Sequence, residues 1–174
     1  MNRFALACLA ATGLLPTTTL ANVTGCWVSE AGTSVIELAE RGGSVSGRVV
    51  GLEEPLFLPD EGQGTPGEPR TDVNNPDEAL RDRAIAGLAI VADLTRDGDR
   101  WTGGTIYDPE SGNTYSVRAE VDDDGLLRIR GYIGSPLFGR TTKWASADER
   151  PEDTRRMLDK LGPYLPVTAP PPSC

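Results

Sequence analysis

Two carboxylates stand two positions apart in YDPESGNTY, residues 107–115, between two tyrosines. Asp108 and Glu110 are the residue types with which a glycosidase protonates and attacks a glycosidic bond, provided that they flank a substrate cleft. The same stretch holds Pro109, which presets φ and removes a donor, and Gly112-Asn113, which accepts positive φ. An aspartate ahead of such a turn bonds nearby backbone amides. The stretch therefore reads as a hairpin tip, with its two acids facing solvent. No catalytic residue is assigned, and the chain is expected not to be an enzyme.

The chain has no histidine. Ser-His-Asp and Cys-His chemistry is thereby excluded, and the usual zinc and copper sites lose their commonest ligand. "DDDG", residues 122–125, is rich in hard oxygen donors. It lacks the spaced ligands and distal glutamate of a calcium loop, so it reads as an acidic turn. No metal and no cofactor is expected.

Cysteine chemistry depends on processing. Arg3, the apolar run Phe4 to Leu15 and the small residues ending at Ala21 have the layout of a secretory signal peptide over residues 1–21. That run is too short to span a bilayer, and no later stretch is apolar enough. The mature protein is expected in the periplasm or secreted, without a membrane span. Cleavage removes Cys8 and leaves Cys26 and Cys174, an even pair that suits a disulfide in an oxidising compartment. The rival is a lipoprotein, with Val23-Thr24-Gly25-Cys26 as a lipobox. Against it, Pro16 to Asn22 separates the apolar run from the cysteine, and lipidation would strand Cys174.

The formal net charge is −9, and loss of Arg3 makes it −10. Such a surface repels nucleic acid and anionic lipid. No nucleic-acid partner is expected.

These groups need a scaffold, and period-two alternation supplies it. Eight strands are expected: Thr24 to Glu30, Ser34 to Glu40, Ser44 to Leu52, Ala84 to Leu94, Arg100 to Tyr107, Thr114 to Val121, Leu126 to Gly134 and Pro136 to Ala145. The clearest puts Tyr115, Val117, Ala119 and Val121 on one face against Ser116, Arg118 and Glu120. Asp97-Gly98 suits a two-residue hairpin. Glu53 to Asp77 is a long Pro/Gly-rich acidic loop, followed by one helical turn capped by Asn75 or Asp77. Tight polar turns between half-buried strands argue an antiparallel meander, and eight strands close naturally into an all-β barrel. Pro151 to Leu161 reads as a short helix ended by Gly162-Pro163, before a Pro-rich tail. The expected organisation is signal 1–21, barrel 22–147, and helix with tail 148–174.

Gly25-Cys26-Trp27 on the first strand looks like the lipocalin signature, in which a tryptophan plugs one end of the barrel and a late arginine, here Arg140, stacks on it. Further phrases extend the likeness: "NNPDEALRDRAIAGLAI" at 74–90, "WTGGTIYDPESGNTYS" at 101–116 and "LRIRGYIGSPLFGRTTKW" at 127–144. With "GCW", they make the chain resemble the family called domain of unknown function 2147, small exported bacterial proteins with a lipocalin-like (calycin-like) barrel, over about residues 23–145. The resemblance implies the fold and assigns no activity.

The functional expectation is a non-enzymatic binding protein for a small apolar ligand inside the barrel or at its mouth. The alternative is an envelope interaction module with a filled barrel. An Asp/Glu-dependent enzyme is a third reading. Candidate ligand contacts are Trp27, Trp101, Tyr107, Tyr115 and Arg140, and Asp72, Asn75, Arg83 and Asp108 are candidate polar residues of the loop and mouth. A structural network joining loop to barrel accounts for the polar set as well as a ligand does. Val35, Val49, Val117, Ile129 and Ile133 are expected to point inward with the aromatics, and glycines at 47, 103, 104 and 131 suggest some cavity. The sequence leaves the oligomeric state open.

Overall fold

The computed structural model describes residues 22–174, so the expected signal peptide lies outside the described residues. Eight strands follow in chain order: β1 Gly25–Val28, β2 Ser34–Arg41, β3 Ser44–Leu52, β4 Ala89–Asp97, β5 Arg100–Asp108, β6 Asn113–Val121, β7 Leu127–Tyr132 and β8 Arg140–Ser146. Each pairs antiparallel with the next, and β1 pairs with β8 to close the barrel. A closed meander leaves no strand edge for pairing with another chain.

Several boundaries differ from expectation for local reasons. β4 begins at Ala89, because Gly87 takes φ 77° and donates to Val49 O. β8 begins at Arg140, because Pro136–Phe138 forms a 3-10 turn capped by the Ser135 hydroxyl. The two residues between β4 and β5 are Gly98 and Asp99, since Asp97 already pairs with Arg100.

The meander sorts its connections between two ends. The long segment between β3 and β4 and the turns after β1, β5 and β7 lie at one end; the short turns after β2, β4 and β6 lie at the other. The core is graded along this axis. Trp27, Trp101 and Trp144 are buried toward the short-turn end, among Leu38, Leu94 and Leu127. The Trp27 indole donates to Val23 O at 2.9 Å, so its polar edge is satisfied inside.

At Gly47 and Gly104 the barrel interior is closely packed. A Cβ added to Gly47 would stand 2.3 Å from Leu38 Cδ2, and one on Gly104 would stand 2.3 Å from Ala92 O. These glycines admit a neighbouring side chain and a neighbouring backbone; they do not line a void. Two open surface hollows, about 540 and 570 Å³, lie outside the barrel, one between the long loop and the C-terminal helix and one on that helix's polar face. An eight-stranded barrel can either fill with side chains or hold one ligand, and the packing around Gly47 and Gly104 is of the first kind.

The C-terminal helix α1, Pro151–Leu161, begins with proline and carries Glu152 and Asp153 in its first turn and Lys160 in its last, a charge order that suits the helix dipole. Thr154, Met157 and Leu161 form its buried stripe. Met157 packs with Val28, Val35 and Val50 on the outer face of β1–β3. Val35 thus faces α1 and not the interior as expected: it shares the outer face of β2 with Glu37, while Ile36 and Leu38 point inward.

The tail crosses one row of the barrel wall. Cys26, Glu37 and Arg48 are cross-strand neighbours on β1, β2 and β3. Arg48 donates to Pro170 O at 2.7 Å, Ser173 N donates to Glu37 Oε1 at 2.8 Å, and Cys174 is disulfide-bonded to Cys26. With its sulfur in that bond, Cys26 has no thiol left to acylate. Burial raises the Glu37 pKa, but hydrogen bonds from Ser173 and Arg48 and the Arg48 charge outweigh it, leaving the carboxyl below its ordinary 4.5. A depressed folded pKa adds stability above the unfolded value, and that stability is lost as pH falls through the folded value. Thermal melts between about pH 5 and pH 3 are therefore expected to fall more steeply for the wild type than for Glu37→Gln. Parallel slopes would contradict the tail contact.

Candidate functional site

The long connection returns to the barrel through one buried carboxylate. Asp72 is 0% exposed. Its Oδ2 takes hydrogen bonds from Arg83 Nε at 2.8 Å and Asn75 Nδ2 at 2.7 Å, and pairs with Arg83 Nη2 at 2.7 Å. Its Oδ1 accepts from the Tyr107 hydroxyl at 2.6 Å. The Arg83 guanidinium also lies over the Tyr107 ring, 5.1 Å from its centroid. The local fold explains the convergence. Asp72 N bonds Arg83 O and Asn75 N bonds Asp72 O, while Asp77 caps the 3-10 turn Glu78–Leu80 that turns the chain back toward Arg83. Three candidates from the connection and one from β5 thus meet, although Tyr107 is 35 residues from Asp72.

The group is a closed latch. Among the described residues no buried side-chain nitrogen or oxygen lacks a hydrogen-bond partner. The Tyr107 phenol is pushed above its ordinary 10.0, first by burial and then by its bond to Asp72. It is held protonated, donating to a carboxylate already bound by a cation. Such a set holds a loop and leaves no base or nucleophile free.

Asp108 belongs to a second clasp beside it. Its side chain accepts from Glu110 N at 3.0 Å and Ser111 Oγ at 2.6 Å, and its carbonyl accepts from Gly112 N. Asn74 Nδ2 reaches across to Pro109 O and Glu110 O at 3.1 and 3.0 Å. A Cβ on Gly112 would lie 2.0 Å from Asn74 O, and Gly112 has φ 70°. Only glycine allows this approach. The stretch is a turn that receives the long loop.

The remaining candidates separate. Trp27 and Trp101 are buried wall residues, with Val49, Val117 and Ile129 in the same cluster. Tyr115 is half-buried near the long-loop end, on the row that Val117 shares. Arg140 does not reach Trp27. Trp27 pairs with Ser146 at the short-turn end, whereas Arg140 opens β8 opposite Gly131, roughly 20 Å away at the usual strand rise. The cation on an indole is instead Arg96 over Trp101, at 5.9 Å.

Ile133 points out, not in. β7 ends at Tyr132 and Gly134 turns at φ 73°, so the alternation stops one step too soon. Ile133, Leu137 and Phe138 are 75%, 84% and 87% exposed on the connection between β7 and β8. Arg130 braces this connection from below, donating to Pro136 O at 2.7 Å, Leu137 O at 3.3 Å and Thr141 Oγ1 at 2.8 Å. The sequence signal that could have found the feature is the pair Leu137-Phe138 between Pro136 and Gly139, apolar residues in a turn rather than a strand.

A closed eight-stranded antiparallel barrel with one short helix, its end loop pinned by a buried carboxylate, is a lipocalin-like fold. The chain belongs to the family described as uncharacterized protein conserved in bacteria, domain of unknown function 2147, whose model matches residues 25–146. A solved structure of similar fold is titled "Protein HP1028 from the human pathogen Helicobacter pylori belongs to the lipocalin family". It is 22% identical, with a TM-score of 0.59, over 80% of this chain and 97% of that one. The chain matches no curated protein.

Proposed function

We propose that the chain is an exported, non-enzymatic binding protein that meets an apolar partner at the long-loop rim of the barrel, not inside it. Residues 1–21 serve as the export signal, and the disulfide suits the oxidising compartment to which it leads. The observation that carries the proposal is the exposure of Ile133, Leu137 and Phe138 on one braced connection. Large apolar side chains exposed together on one short connection suit an interaction surface. Close packing at Gly47 and Gly104 favours the rim over the interior for a small ligand, with Tyr115 and Arg140 its nearest candidates. Trp27 and Trp101 then act as core.

Native mass spectrometry of the wild type and of a Leu137→Ser/Phe138→Ser variant, both isolated from the compartment to which they are exported, tests the proposal. The expected result is a non-covalent apolar adduct on the wild type that the variant has lost, with the fold intact by circular dichroism. An adduct retained in full by the variant would place binding elsewhere.

A further inference from the structure

We propose, resting on the rim reading, that the connection between β7 and β8 docks on an anionic phospholipid surface. The chain as a whole is acidic, and the long acidic loop lies at the same end of the barrel as the β7–β8 connection, yet along the sequence its charges are segregated. Residues 53–68 carry five acids and no base; residues 128–143 carry Arg128, Arg130, Arg140 and Lys143 and no acid. Two of these cations are paired away from the rim, Arg128 with Glu120 at 4.0 Å and Lys143 with Asp122 at 3.4 Å.

Three guanidiniums around the apolar tip have no carboxylate. Among the described residues, Arg118, Arg130 and Arg140 enter no ion pair. Arg118 lies over the Tyr132 ring at 5.9 Å, and Arg130 spends its donors on neutral oxygens, so neither is offset by a carboxylate. The carboxylate recorded against β8 there is Glu30, which takes the Thr142 hydroxyl at 3.1 Å. Charges beyond a Debye length of about 8–10 Å are screened, so the local sign governs contact.

Apolar side chains beside uncompensated cations give the two signals that hold a protein on a bilayer: acyl-chain burial and attraction to anionic headgroups. Isoleucine, leucine and phenylalanine enter the headgroup boundary while the arginines stay among phosphates. A neutral apolar partner would use the tip and leave the three cations unmatched.

Co-sedimentation of the full mature protein with phosphatidylcholine vesicles, with and without one-third phosphatidylglycerol, tests the proposal. The wild type is expected to partition at least tenfold more onto the anionic vesicles and to be released by high salt. Leu137→Ser/Phe138→Ser and, separately, Arg118→Gln/Arg140→Gln should each lose tenfold or more; the second leaves the Arg130 brace in place. No vesicle binding by the wild type, or equal binding by wild type and both variants, would overturn the lipid assignment. The rim reading survives such a failure if Leu137→Ser/Phe138→Ser still loses the native adduct, and falls with it if that adduct is retained. Cross-linking from position 138 to an envelope protein, without vesicle binding, would assign the rim to a protein and likewise overturn the lipid proposal.

Discussion

Asp72→Ala is expected to destabilise the protein by about 3 kcal/mol, at the lower end of the cost of removing one partner from a buried ion pair. The carboxylate is fully buried and serves three donor side chains. Its loss leaves the Tyr107 hydroxyl and the Asn75 amide without their principal acceptor, and the Arg83 guanidinium without its counter-ion. The Arg83 side chain is 35% exposed, so water recovers part of the cost and holds the estimate at the lower end. For a domain of this size, the melting temperature should fall by roughly 6–12 °C. Tyr107→Phe keeps the ring under Arg83 and removes one hydrogen bond, so about 1 kcal/mol is expected. Calorimetry on both variants checks the order as well as the size. A cost for Asp72→Ala no larger than that for Tyr107→Phe would mean that the loop is not held through this carboxylate.

Cys174→Ser should have an effect of similar size by a different route. The disulfide joins residues 148 apart, nearly the whole span of the described residues 22–174. Restricting so long a loop in the unfolded ensemble stabilises the fold by at most about 5 kcal/mol, and measured disulfides typically give about 2–4 kcal/mol. About 3 kcal/mol is expected here. The tail keeps two native attachments without the disulfide, Ser173 N to Glu37 and Arg48 to Pro170 O, and these hold only while the barrel wall is intact. The melting temperature should fall by roughly 6–12 °C, and protease should cut the tail beyond Pro166 before it attacks the barrel. A melting temperature unchanged within about 2 °C would show that the crosslink restrains little in the unfolded chain.

Strand number, barrel closure and the cysteine pair were legible because each rests on a local or countable signal. Alternation in 113–121 needs only a buried face and a wet one. Pro151 at its start, the apolar Met157, Leu158 and Leu161, and Gly162-Pro163 at its end mark α1 at its observed bounds. The misread residues fail where a third element intervenes. Val35 follows the strand period but meets α1 on the outside of the barrel. Ile133 follows it one residue past the point where Gly134 turns the chain. Gly47 suggested a void and instead makes room for Leu38 on the neighbouring strand, a relation that no single-strand pattern contains. The latch was visible only as four candidate positions scattered along the chain. That Asp72, Asn75, Arg83 and Tyr107 meet at one carboxylate depends on how a 36-residue connection folds back, and nothing local encodes that.

The account turns on where an apolar molecule contacts this barrel. Amide and indole chemical shifts during titration with a short-chain anionic phospholipid below its micelle concentration measure this directly. Residues 132–140 are expected to shift together and saturably, with the indoles of Trp27 and Trp144 unmoved. Saturable shifts centred on Val117, Ile129 and Trp144, with the β7–β8 connection silent, would mean that the interior opens to a ligand and would contradict the rim reading.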